Sequence, residues 1–204
     1  LFAKKSRNAI NVISAVSVTG VAVGTMALII ILSVFNGLEK LVTSIFNTFD
    51  PDIKITTAEG KTFIADTAKL TLLSKVSGVS CYSLAIEENA ALKYNEKQFI
   101  ATIKGVDDNY AQVTGIDSSM WDGKFLLRAE GGRPYAVIGA GIAQNLGLRI
   151  NFVEPLWIYV PDKNSKSTLN QDEALNNDFI FPSGVFQIEQ EYDSKYIYVP
   201  LDFA

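Results

Sequence analysis

The dominant feature of the hydrophobic pattern is a run without a charged residue between Arg7 and Glu39, strongly apolar from Ile10 to Leu38. As a helix this run reaches about 43 Å, more than the roughly 30 Å hydrocarbon core of a bilayer, so the pattern predicts one membrane-crossing helix. A cleaved signal peptide shares the basic start "KKSR". It also needs a shorter apolar region and a small-residue cleavage site, and "LSVFNGLEK" offers no A-x-A pattern. Within the run, Ser17, Gly20, Gly24 and Ala27 recur at spacings of three and four and so share one helix face. Small faces of this kind let helix backbones approach closely in lipid, and this one predicts packing on a further span. Beyond it, Leu38, Leu41, Val42, Ile45, Phe46 and Phe49 continue as an amphipathic stripe until Asp50-Pro51 stops the helix. Asn36 and Gly37 sit where this stalk leaves the membrane and are a candidate bend.

The rest of the chain switches to short elements. "DIKITT" alternates Ile53 and Ile55 and predicts a half-buried strand. "DTAKLTLLSKVSGV" predicts a helix with Asp66 or Thr67 as cap and Gly78 near its end. "SCYSLAIEENAALKYN" and "KQFIATIKGVD" predict two strands joined by a turn around Asn95. "DDNYAQVTGIDSSMWDGKF" predicts a loose connection with short helical turns. After it come a strand "YAVIG", a helix "AGIAQNLGL" closed by Gly147, and a strand "PLWIYVP". A polar segment from Asp162 to Asp178 follows, then strands "SGVFQIEQ" and "KYIYVPL". The pattern is α+β. It divides into 1–49 (N-terminus, helix and stalk), 50–112 (an α+β subdomain) and 113–204 (a mostly β subdomain).

Charge sets the orientation of the helix. Lys4, Lys5 and Arg7 precede the run while Glu39 and Lys40 cancel after it, which places residue 1 in the cytoplasm and the large region outside. Residues 50–204 carry 14 basic and 21 acidic side chains, so no basic nucleic-acid footprint is present. Cys81 is the sole cysteine and there is no histidine, which removes internal disulfides, the common zinc sites and every histidine-based catalytic arrangement. A Ser–Lys arrangement stays open, with no residue singled out. "AVIGAGIAQNLG" opens like a dinucleotide fingerprint with Gly139 and Gly141, but Gln144 stands at the third glycine position and Gly147 comes too late. Gly147 reads as a helix cap. The adjacent acids Glu87-Glu88 and Asp107-Asp108 read as solvated surface charge, since strand neighbours point to opposite faces. The expectation is a non-enzymatic chain with no metal or cofactor.

The stretch "NAINVISAVSVTGVAVGTMALIIILSVFNGLEKLV" resembles the first span of permeases in the lipoprotein-releasing ABC transporters (LolC/LolE type), within the MacB/FtsX-like superfamily. The matching positions are Ser17-Val18-Thr19-Gly20, Gly24, Ala27-Leu28-Ile29 and Leu32 through Glu39. The similarity continues through Ile103–Asp107, Val137–Leu148 and Val185–Ala204. "LRINFVEPLW" departs from it where many members have Gly-Asp. The resemblance implies a MacB-like periplasmic domain with a porter-like α+β part and a mostly β inserted part. It also implies that the chain is an N-terminal fragment ending inside that domain. Implied partners are a cytoplasmic ATPase subunit, a second permease subunit (identical or paralogous), lipoprotein cargo, membrane lipid and a periplasmic lipoprotein chaperone, in a bacterial inner membrane. One paralogue captures the chaperone with a strand-to-strand excursion. By that resemblance Lys163, Asn164, Ser165, Lys166, Asn170, Gln171 and Asp172 form a candidate partner loop. MacB-like efflux, FtsX-like control of a partner and a single-span sensor are the rival readings.

Overall fold

The uncharged run folds as one helix, α1 (Lys4–Asn47), in a computed structural model of the protein that describes residues 4–47, 51–150, 154–161 and 175–204. Its segment Ala9–Val42 is 34 residues long, and an 18-residue stretch within it has a mean hydropathy of 2.4, enough to cross a membrane. No side chain in that segment is buried. The Thr19 and Thr25 hydroxyls donate back to the carbonyls of Ala15 (2.8 Å) and Val21 (3.0 Å). Both polar groups are thus satisfied inside the helix, as hydrocarbon requires. α1 belongs to the first of two compact units, Leu1–Phe46; the second is Asn47–Ala204.

The second unit is built on a ring of strands. β1 (Ala85–Tyr94) and β2 (Lys97–Val106) form a hairpin across the two-residue turn Asn95-Glu96. Asn95, at φ 53°, takes the left-handed conformation such a turn demands. β2 runs parallel to β7 (Tyr196–Pro200), which pairs antiparallel with β4 (Tyr135–Gly139). β4 runs parallel to β6 (Leu175–Phe186), and β6 pairs antiparallel with β5 (Leu156–Pro161). β5 then pairs with β1 through Ala91–Tyr159, Leu92–Ile158 and Lys93–Trp157, closing six strands into a barrel. A short strand β3 (Met120–Gly123) adds to the outside of the ring along β6.

Strand alternation sorts side chains between lumen and exterior. Leu92, Ile103, Ile138, Leu156, Ile158, Ile180, Val185, Ile197 and Val199 fill the lumen. Helix α4 (Ala140–Leu146) leaves the end of β4 and adds Ile142, Ala143 and Leu146 to the same cluster. On the outside, Val106, Val137, Phe186 and Tyr198 form a second cluster. It is covered by α3 (Tyr110–Thr114), a 3₁₀ turn (Ile116–Ser119) and α5 (Gln190–Asp193). Helix α2 (Thr67–Leu73) starts at Asp66, whose carboxylate accepts the Ala68 N–H at 2.9 Å.

The expected class holds: one apolar helix followed by an α+β domain. Several local expectations are corrected. Ile53 and Ile55 form no strand and are 79% and 61% exposed, because no described strand lies against them. Alternation records competence to pair, while a strand needs a partner's ladder. The loose connection after Asp107 contains β3, whose four residues are too short to show a period. The polar segment is strand from Leu175 onward, with Asn176, Asn177 and Asp178 paired to Val160, Tyr159 and Ile158.

The glycines of "GAG" serve α5, not a phosphate. A Cβ on Gly139 would lie 2.1 Å from the Asp193 carbonyl oxygen, and one on Gly141 would lie 2.2 Å from the Ser194 hydroxyl. Gly147 closes α4 at φ 70°, as expected of a helix cap. Gly139→Ala should therefore destabilise the domain by about 1–3 kcal/mol through overpacking against backbone. Gly131→Ala, with open space around it, should change little. Denaturant melts of the two variants check this, and equal midpoints would refute the close-approach role.

Candidate functional site

The sequence names two sites, the small face of α1 and the loop between β5 and β6. Ser17, Gly20, Gly24 and Ala27 do line up along α1, and a Cβ at Gly20 or Gly24 would meet nothing within 4 Å. The helix runs unbroken through Asn36 and Gly37. The candidate partner loop (Lys163, Asn164, Ser165, Lys166, Asn170, Gln171 and Asp172) lies outside the described residues. The strands that carry it, β5 and β6, are in register up to Pro161–Leu175. Below that point their outer face bears Trp157 and Phe179 with ring centroids 5.5 Å apart, and Phe181 stands edge-on to Phe179 at 6.0 Å.

A third arrangement was not anticipated. Lys104 sits on the outer face of β2, and only 8% of its side chain is exposed. Its ammonium lies 5.2 Å from the ring centre of Tyr110, 5.5 Å from Tyr196 and 6.0 Å from Tyr198. Tyr110 comes from α3 and the other two from β7. Tyr192 of α5 joins through its hydroxyl, 2.7 Å from that of Tyr198, and Tyr110 reaches the same oxygen at 3.4 Å. Aromatic faces attract a desolvated cation by about 0.5–2 kcal/mol each. The carboxylate that balances the charge is Glu87, its direct cross-strand partner on β1, at 3.3 Å.

Glu87 and Glu88 are thus not simply solvated charge. Glu87 also pairs with Lys54 at 3.5 Å through the same oxygen, and Glu88 pairs with Lys61 at 3.0 Å. Burial pushes the Glu87 carboxyl up, but Lys104 and Lys54 outweigh it and hold the group below its ordinary 4.5. Burial would lower the Lys104 ammonium. The facing Tyr110 and Tyr192 phenols and the Glu87 carboxylate reverse that and hold it above its ordinary value. Tyr198 is pushed up, chiefly by burial. Asp107 is structural as well: it accepts from the Ser83 hydroxyl (2.5 Å) and the Leu84 and Asn109 amides. A clue to the lysine site was present in the chain. The two-residue turn at Asn95-Glu96 fixes the hairpin register, and counting outward sets Glu87 opposite Lys104.

The arrangement holds a charge still and links five elements, β1, β2, β7, α3 and α5; it presents no nucleophile beside a base and no metal-binding cluster among the described residues. Removing one partner of an ion pair costs most when the charge left behind is the buried one; Lys104 is 8% exposed, whereas Glu87 is 32% exposed and keeps Lys54. Lys104→Met should stay within about 1 kcal/mol of wild type, whereas Glu87→Leu should lose about 2 kcal/mol, tempered by the part exposure of Glu87. Thermal or denaturant melts decide, and a larger loss in Lys104→Met would reverse the assignment. The pH dependence follows from the lowered Glu87 group. The stability gap between wild type and Glu87→Gln should be full above pH 4.5 and shrink as pH falls through the depressed value. A gap that widens on acidification would contradict it.

Residues 14–156 match the family model of the MacB-like periplasmic core domain. Among solved structures, the extracellular domain of the ABC-type transporter YknZ from Gram-positive bacteria aligns at 18% identity and a TM-score of 0.49, over 76% of this chain and 71% of that one. The periplasmic region of MacB from Actinobacillus actinomycetemcomitans aligns at 16% identity and a TM-score of 0.42, over 66% of this chain. This chain spans 54% of that region's length. With the family model covering most of α1 and the strands up to the start of β5, the chain belongs to the MacB-like periplasmic core domain family.

Proposed function

We propose that this chain is the N-terminal part of a permease subunit that releases lipoproteins from the bacterial inner membrane, driven by a separate cytoplasmic ATPase. The observation that carries the permease reading is a single family match, residues 14–156, running from the apolar helix into the barrel. The lipoprotein-releasing subtype rests on the sequence similarity at Ser17–Glu39 and Val185–Ala204. In this reading α1 anchors the subunit with residue 1 in the cytoplasm and residues after about 40 in the periplasm. Ser17, Gly20, Gly24 and Ala27 pack against another span, of this subunit or of a second permease subunit. Asn36 and Gly37 serve as the articulation at the outer interface. The chain performs no catalysis and binds no cofactor; its work is mechanical. The loop bearing Lys163–Asp172 would meet a periplasmic lipoprotein chaperone.

The test is a release assay on the complete permease, its ATPase and a triacylated lipoprotein in vesicles. ATP should release the lipoprotein to an added acceptor chaperone. Gly24→Leu should reduce assembly and release at least tenfold, while Ile30→Leu should not. ATP-driven transport of a small amphiphile with no lipoprotein release would replace this reading with MacB-like efflux. Full assembly of Gly24→Leu would remove the packing role.

A further inference from the structure

The segment 51–66 contributes no buried residue to the domain. Ile53, Ile55, Phe63 and Ile64 are 79%, 61%, 54% and 97% exposed. Two ion pairs nevertheless join the segment to one place on the barrel. Lys54 and Lys61 lie on either side of a turn in which the Thr57 hydroxyl donates to the Gly60 carbonyl at 2.8 Å. Lys54 reaches Glu87 and Lys61 reaches Glu88. Glu87 and Glu88 are consecutive on β1, so their side chains leave opposite faces of the strand. The segment therefore grips β1 from both faces. It does so where β1 has a bare edge: β5 covers only Ala91–Lys93, and no described strand pairs with Ala85–Asn89 on the side away from β2.

We propose that residues 51–66 form an electrostatic clasp, which straddles the free edge of β1 and detaches as a unit while the barrel stays folded. The holding forces are of the kind that release. Both lysine side chains are mostly exposed, at 63% and 70%, and pairs of this sort are weak and screened by salt. The barrel does not depend on them, since Glu87 keeps Lys104 as its buried partner when Lys54 leaves. Closed, the clasp guards an edge that otherwise invites strand addition. Open, it exposes Ala85–Asn89 and frees a length of chain directly after the membrane helix.

Paired spin labels on the full chain in detergent, at Thr56→Cys and Ala91→Cys in a Cys81→Ser background, report the state of the clasp. At low salt the distance distribution should be narrow and short. Lys54→Gln with Lys61→Gln, or 1 M salt, should raise the long-distance population roughly three- to thirtyfold, the span two exposed ion pairs command. Lys61→Glu should open the clasp, and adding Glu88→Lys should close it again. Amide exchange at Ile103 and Val199 should stay unchanged throughout. An unaltered distribution in the double glutamine variant and in high salt would overturn the proposal. Loss of protection in β2 and β7 in step with opening would also overturn it, because the segment would then be part of the barrel's stability.

Discussion

Closure of the barrel depends on β5. This six-residue strand pairs with β1 on one side and β6 on the other, and without it the sheet would be open, with β1 and β6 as long bare edges. The ring also brings together parts of the chain far apart in sequence. β2 lies beside β7, and β4 lies between β7 and β6, so the lumen is assembled from segments spread over 85–200. Two of the contacts are parallel, β2 with β7 and β4 with β6, and parallel neighbours require long crossover connections. Those crossovers carry α3, the 3₁₀ turn, α4 and α5, which is why helices end up against the ring.

The outer layer is organised by a charge as well as by apolar contact. Lys104 is buried on the exterior of β2, and three tyrosine faces with one carboxylate accommodate it. Its position ties α3, β7 and β1 to a single atom. A buried cation is costly unless every direction around it is filled, so this cluster specifies one arrangement of the outer layer over near alternatives.

Local chemistry made most elements readable in the sequence. The Asn95 turn, the Asp66 cap, the Gly147 stop and the α1 run are each set by residues within one or two turns of chain. What stayed hidden depends on distant partners. Ile53 and Ile55 show the period of a strand but find no ladder, while Asn176–Asp178 look like loop and become strand because β5 supplies one. The tyrosine cluster was half legible: hairpin register puts Glu87 against Lys104, but Tyr110, Tyr192, Tyr196 and Tyr198 arrive through crossovers that no local pattern records. The small face of α1 was legible as a pattern, because helix periodicity alone sets it.

The filled lumen has a consequence for transport. Six strands enclose too narrow a cylinder for a guest; Leu92, Ile138, Leu156 and Ile197 are fully buried there, and α4 adds its own side chains from one end. The barrel is a solid peg rather than a conduit. Anything that passes this domain has to travel along its outside. Substitutions that enlarge the lumen would weaken the peg without opening a route through it.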